Sequence, residues 1–435
     1  MKKIALLFPG QGSQFVGMSK KLYEEYSIVK DTFEEANDAL GFDMTSICFE
    51  GDILKLTQTE NTQPALLTAS VAAFRVYIQE FGINPSILAG HSLGEFSALT
   101  CSNTMRFSDA LRIVRKRGLL MKQAAELGEG KMAAISGIDA KLINEECQKI
   151  STEKEPVVVA CYNSPTQSVI SGHVLTVDKL INRLQKLGAT IFPLKVSAAF
   201  HSPMMKQAAE GLRRELHKYT YSHPKWKVIS NVNALPYEGH EQLIENLTAQ
   251  MTSPVLWHDS VKYIKKQEAE LAIEMGPKTV LKNLMKENLK ELTVFQFESN
   301  KDIEKLKSAL APTAYNEKEF VYNNRLEIIS SCIRTAICSK NLNWDLESYK
   351  TGVIEPYRNI TNMYEALEMN KQMPSDEQIV SAFEMLNMVL TTKKVREDQK
   401  EQLFLELLEQ TGAHLIIPEL TQYQVIKQKE ELVTL

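Results

Sequence analysis

The chain of 435 residues lacks the usual marks of a membrane, metal or nucleic-acid protein. No run approaches the ~20 apolar residues of a membrane span. The opening Met1-Lys2-Lys3-Ile4-Ala5-Leu6-Leu7-Phe8 starts like a leader. Its apolar run then stops at Pro9-Gly10, too short for a signal peptide, and reads as a first buried strand. Six cysteines (48, 101, 147, 161, 332 and 338) include no C-x-x-C pair. That argues against a zinc site and against a disulfide framework, and predicts a reducing, cytoplasmic setting. A net charge of −4 gives no pull toward nucleic acid or anionic membrane. Internal repeats and low-complexity linkers are missing too. What remains is ordinary for a globular protein, with 44% apolar and 24% charged residues, and the length implies two or three domains.

The residue pattern alternates strands and helices. A strand at residues 4–8 runs into the loop Pro9-Gly10-Gln11-Gly12-Ser13-Gln14, whose backbone N–H groups are free to face a ligand. The loop has no Gly-Lys-Ser/Thr, so it is not an ATP loop. Residues 19–40 read as one helix stopped by Gly41. Gln63-Pro64 starts a second helix, with Pro64 in its first turn. A strand follows at 86–89, and Ser108 caps a helix running to about Leu127. Between 130 and 196 the order is β-α-β-β-α-β, that of a ferredoxin-like domain, with strands at 132–135, 157–162, 168–171 and 190–196. Core strands resume at 227–230 and 271–274, around a helical region at 239–266. Beyond 311, helical spacing covers 319–337, 376–390 and 397–408, with a capping box at Ser375 and Gln378 and a stop at Thr411-Gly412. The expected architecture is an α/β-hydrolase-like core with a parallel sheet (1–129 and 197–311). It carries an inserted ferredoxin-like subdomain (130–196) and a C-terminal helical extension (312–435).

Chemistry concentrates at Gly90-His91-Ser92-Leu93-Gly94, which has the G-x-S-x-G spacing of a nucleophile elbow. Small neighbours let the chain reverse sharply and push the Ser92 hydroxyl above the sheet, and the following helix offers free N–H groups. The candidate base is His201, in Ala199-Phe200-His201-Ser202-Pro203, just past a strand. His91 would point away from the serine, and His217, His223, His240 and His414 have poorer surroundings. Arg117 lies on the apolar side of a helix whose Arg112, Arg115 and Lys116 fit a solvated face. A guanidinium turned inward needs a carboxylate, either the chain's own or a substrate's.

Six motifs occur in order: Phe8-Pro9-Gly10-Gln11-Gly12-Ser13-Gln14, Thr62-Gln63-Pro64-Ala65, Gly90-His91-Ser92-Leu93-Gly94-Glu95, Asn163-Ser164-Pro165, Ala199-Phe200-His201-Ser202 and Glu274-Met275-Gly276-Pro277. Together they resemble malonyl-CoA:acyl carrier protein transacylases, including the acyltransferase units of polyketide synthases, over residues 1–300. The resemblance implies Ser92 as nucleophile, His201 as base, and an oxyanion hole of the Gln11 and Leu93 N–H groups. It further implies Arg117 as the malonyl-carboxylate ligand and a Gln250 carbonyl that orients the histidine. Gln63 and Asn163 line up with pocket-side positions. No bound cofactor or metal is implied. Malonyl-CoA is the donor, and the phosphopantetheine thiol of an acyl carrier protein or synthase carrier domain is the acceptor.

Bulky Leu93 and Phe200 favour malonyl over a branched acyl group, and the Phe200-His201 pair is similar to polyketide-type enzymes. Two alternatives stay open: a serine acyl hydrolase or proofreading thioesterase on the same site, and a transacylase of primary fatty acid synthesis. The stretch Tyr349 to Tyr357 is similar to tails of free-standing transacylases from hybrid polyketide–peptide clusters. The extension is then either a packed helical annex or a docking surface. Lys195, Arg112, Arg115 and Lys116 are candidate contacts for an acidic carrier.

Overall fold

A computed structural model describes residues 2–126, 128–194, 196, 198–240, 242–310, 321, 324–343, 345–370 and 372–424. The chain divides into two compact units, Met1–Leu310 and Ala311–Leu435. Nine strands are present among the described residues, all in the first unit: β1 (Ile4–Phe8), β2 (Ile87–Gly90), β3 (Gly130–Ser136), β4 (Val157–Ser164), β5 (Gln167–His173), β6 (Thr190–Pro193), β7 (Lys227–Ile229), β8 (Leu271–Glu274) and β9 (Thr293–Gln296).

The central sheet is parallel throughout, in the order β7-β2-β1-β8-β9. Every residue of β1 is buried, which explains its unbroken apolar run: both faces of a parallel sheet are covered. Leu6 and Phe8 join one core cluster, Ala5 and Leu7 another. Phe8 pairs with Gly90, so the Pro9–Gln14 loop and the Ser92 turn leave adjacent strand ends one strand spacing apart, about 4.8 Å. The inserted subdomain is an antiparallel sheet in the order β4-β5-β3-β6. Helices Ala140–Ile150 and Val174–Lys186 cover it over Ile135, Ile143, Val159 and Leu180. The α/β core, inserted ferredoxin-like sheet and C-terminal helices match the expected fold class.

Local details differ from the sequence expectations. The Pro64 helix begins at Thr59, so Pro64 lies inside it. A proline there leaves the Glu60 carbonyl without its helical donor, and Arg115 Nη1 supplies one at 2.6 Å. The same contact removes Arg115 from the solvated face assigned to it. The 19–40 helix is two helices, Lys20–Glu25 and Ser27–Leu40, because Tyr26 is extended (φ −125°) and caps both. The helix assigned to Ser108 starts at Phe107 and ends at Ala125; Leu127 lies outside the described residues. Strand β6 ends at Pro193, with the Leu194 N–H still donating to Met132 O at 3.1 Å just beyond it, and Lys195 lies outside the described residues. The 239–266 region divides into Leu243–Gln250 and Trp257–Lys266, with Pro254 in the gap.

The second unit has its own core, including Ile329, Phe383, Leu386, Leu390 and Leu408. These come from helices Arg325–Cys338, Asp376–Thr392 and Glu397–Thr411, and Glu355–Met369 adds Ile360 and Leu367. The Ser375–Gln378 capping box forms, and Gly412 ends the last helix at φ 64°. Residues 319, 320, 322 and 323 of the expected 319–337 helix lie outside the described residues. The Glu355–Met369 helix, with Pro356 in its first turn, has no counterpart among the sequence expectations. Among the described residues, no helix is long and apolar enough to cross a membrane.

Candidate active site

Strand β2 ends at Gly90, and Ser92 then takes φ 52° and ψ −102° before the Leu93–Cys101 helix begins. Two glycines make that turn geometrically possible. A Cβ on Gly90 would lie 1.9 Å from the Gly94 carbonyl carbon, and one on Gly94 would lie 1.9 Å from the Phe8 oxygen. The strained Ser92 backbone is tied down by Asn231, whose Oδ1 accepts the Ser92 N–H at 2.7 Å and whose Nδ2 donates to Gly90 O at 2.7 Å. Leu93 is the first residue of the helix, where an N–H has no intrahelical acceptor. The Gln11 loop packs flat on this turn: a Cβ on Gly10 would come within 2.4 Å of His91 O.

His201 sits at φ 58°, just before the Pro203–Met205 turn. Its Nδ1–H donates to Gln250 O at 2.7 Å, which fixes the tautomer and leaves Nε2 to accept from Ser92 Oγ at 2.9 Å. Burial, and then the neighbouring Arg117 charge, hold the imidazole down at about 3, so it is a neutral acceptor at physiological pH. The pair is therefore arranged to take a proton from the hydroxyl, with a carbonyl instead of a carboxylate behind the histidine.

Arg117 is fully buried on the Phe107–Ala125 helix. Nη1 donates to Gln63 Oε1 at 2.9 Å, while Nη2 donates to Gln250 Oε1 at 2.9 Å and to Ser92 Oγ at 3.1 Å. Its Nε–H has no acceptor among the described residues. Burial lowers the guanidinium to about 10, which still leaves it a cation at neutral pH, and the field of Glu95 opposes that shift. Gln63 Nε2 also reaches Gln11 Oε1 at 3.5 Å.

Ser92, His201, Arg117, Gln63 and Gln250 thus converge, with Leu93 and Gln11 beside them. Half-buried Phe200 packs against both core clusters next to the histidine. Asn163 stands further off, where its Oδ1 and His91 Nε2 are 3.0 Å apart and its Nδ2 donates to Gln167. That contact turns His91 away from Ser92. Arg112 is exposed beside Asp109, Arg115 points inward, and Lys195 lies outside the described residues. Sequence reasoning passed over Glu95, Asn231 and Tyr237. Glu95 is fully buried and accepts from Tyr237, Gln250 and Asn231. Its signal was a charged residue inside an otherwise apolar helix.

A family model described as an acyl transferase domain matches residues 5–326. A malonyl CoA-acyl carrier protein transacylase of Bacillus subtilis is 38% identical over 395 residues, covering 91% of this chain and 98% of that protein. The chain belongs to the malonyl-CoA:acyl carrier protein transacylase family. It is an acyltransferase. Another transacylase, from Escherichia coli K12, is 42% identical over 294 residues, 67% of this chain and 95% of its own length. Among solved structures, the Coxiella burnetii transacylase is 36% identical with a TM-score of 0.69, covering 72% of this chain and 98% of that one. A type II PKS acyl-carrier protein in complex with its malonyl-transacylase matches at 36% identity and TM-score 0.68, covering 70% of this chain and 99% of that one. In this chain Ser92 Oγ lies 2.9 Å from His201 Nε2 and 3.1 Å from Arg117 Nη2.

Proposed function

We propose that this transacylase moves malonyl from malonyl-CoA through a Ser92 ester to the phosphopantetheine thiol of an acyl carrier protein. The observation that carries this reading is the hydrogen bond from the buried Arg117 guanidinium, which bonds no carboxylate among the described residues, to the same Ser92 Oγ that meets His201. His201 Nε2 takes the Ser92 proton as Oγ attacks the thioester carbon, and the Gln11 and Leu93 N–H groups receive the oxyanion. Collapse breaks the C–S bond, and His201 returns its proton to the departing coenzyme A thiolate. The carrier thiol then gives its proton to His201 and attacks the seryl ester, and collapse restores the Ser92 hydroxyl. Arg117 pairs with the malonyl carboxylate, Gln63 and Phe200 bound the acyl group, and Asn163 anchors the neighbouring His91. No metal or bound cofactor enters. Intact mass after incubation with malonyl-CoA should show malonyl on Ser92, removed on adding carrier protein. Release of free malonate alone would overturn the transferase reading in favour of a hydrolase.

We further infer that the acceptor is a carrier of a polyketide or hybrid polyketide–nonribosomal peptide synthase, served in trans in the cytoplasm. Phe200 before the histidine supports this. So does the stretch Tyr349 to Tyr357 in the second unit, which is similar to tails of free-standing transacylases from hybrid polyketide–peptide clusters. Comparing kcat/KM for a synthase carrier domain and a fatty acid carrier tests it; preference for the fatty acid carrier would reassign the enzyme to primary metabolism.

A further inference from the structure

We propose that Glu95 is a positioning residue of this site: acting through the Gln250 amide, it supplies the buried negative charge that balances Arg117, so that the guanidinium takes a substrate carboxylate without suppressing the His201 base. The inference rests on the roles given above to Ser92, His201 and Arg117.

Glu95 lies three residues after Ser92, in the first turn of the helix, and is completely buried. Buried carboxylates are rare unless something compensates them. Its hydrogen-bond donors are all neutral: Tyr237 Oη at 2.5 Å on Oε1, with Gln250 Nε2 at 2.7 Å and Asn231 N at 3.1 Å on Oε2. An ionised carboxylate only accepts, so it draws the NH2 end of the Gln250 amide and turns Oε1 the other way. That oxygen meets Arg117 Nη2 at 2.9 Å. The amide is therefore aligned between an anion and a cation, each facing the end of the dipole that suits it.

The same residue serves the base. Gln250 O accepts the His201 Nδ1–H, and Gln250 Nε2 also donates to Ser92 O at 3.0 Å. Arg117 is one hydrogen bond from Ser92 Oγ, and its charge disfavours a proton on His201. During acyl transfer His201 must carry that proton. A carboxylate behind Gln250 offsets the guanidinium before substrate arrives, and the malonyl carboxylate adds to it afterwards. Burial holds the Glu95 carboxyl above its ordinary value, and its hydrogen-bond donors oppose that rise in part.

The test is Glu95→Gln in the full chain, which keeps the shape and removes the charge. The new amide oxygen can still accept from Gln250 and Asn231, and the Tyr237 hydroxyl can turn to accept. The rate of malonyl loading on Ser92 should fall about 10- to 100-fold in kcat, with KM for malonyl-CoA unchanged or lower. Glu95→Asp should recover part of the loss. With acetyl-CoA in an Arg117→Met background, Glu95→Gln should cost less than about 3-fold, because the charge it balances is gone. Equal kcat in wild type and Glu95→Gln, or an undiminished loss in the Arg117→Met background, would overturn the proposal.

If Glu95→Gln fails to fold, the double variant Glu95→Gln/Arg117→Met decides by calorimetry. Removing both charges should restore a cooperative transition, and a double variant no more stable than the single one would count against the balance. A parallel Ser92→Ala reaction separates the two readings. Malonyl uptake by Ser92→Ala would sink the site itself, whereas a dead Ser92→Ala beside a fully active Glu95→Gln would sink only the role of Glu95.

Discussion

The Arg117 guanidinium hydrogen-bonds the Ser92 hydroxyl at 3.1 Å, and under the proposed function the cation and the nucleophile address one short acyl group at its two ends. A long chain would separate its reacting carbon from any far carboxylate by more than that geometry spans. A three-carbon diacid half-thioester fits.

Replacing Arg117 by alanine should therefore change selectivity more than reactivity. Loss of a charge-assisted contact is worth roughly 1.5–3 kcal/mol, or about 10- to 100-fold in malonyl kcat/KM. Acetyl-CoA, which has no carboxylate to lose, should react as fast or faster. Steady-state kinetics with both thioesters check this, and equal losses on both would remove Arg117 from substrate recognition.

Gly94→Ala tests the turn itself. The added carbon meets the Phe8 backbone oxygen, which cannot swing aside as a side chain could. Stability should fall by about 3 kcal/mol or more and malonyl loading should be lost. Urea unfolding and intact-mass labelling measure the two effects separately.

Protonation of His201 predicts an acid limit. Its folded value, about 3, lies below the ordinary histidine value of 6.5, so between those pH values the unfolded chain binds the extra proton. Stability contributed by this group is complete above about 6.5 and is lost as pH falls, by up to ~1.4 kcal/mol per pH unit. Glu274 acts in the opposite sense. Burial pushes its carboxyl up to about 7, so its contribution is present below about 4.5 and is lost as pH rises to about 7. Comparing wild type with His201→Gln cancels the Glu274 part. The variant should show the shallower decline of melting temperature from pH 6.5 to 4.

In the second unit, Ser375→Ala removes one half of the capping box on the Asp376–Thr392 helix. A loss of about 1 kcal/mol is expected. Hydrogen exchange over residues 376–392 in the full chain reads it locally, with faster exchange in the first turn.

The serine turn was legible because its constraint is local: two glycines and a serine within five residues. Strand β1 was equally plain, since burial on both faces leaves a continuous apolar run. Pro64 misled because the acceptor it strands, the Glu60 carbonyl, is rescued by Arg115, 55 positions away in sequence but adjacent in the fold. Glu95, Asn231 and Tyr237 escaped for a related reason. Asn231 and Tyr237 are polar and unremarkable on their own loops, and only packing brings them to Glu95, whose charge within its helix was the one local sign. The Glu355–Met369 helix hid behind a proline that normally ends helices and here sits in the first turn.

Gln250 carries two obligations in one residue, its peptide oxygen to His201 and its side chain to Arg117. Under the proposed function, an engineer seeking a different acyl substrate cannot treat acyl selectivity and proton transfer as separate dials on that side. Redesign has freer play at Gln63, whose contacts run to Arg117, Met121 and Gln11 and leave the histidine untouched.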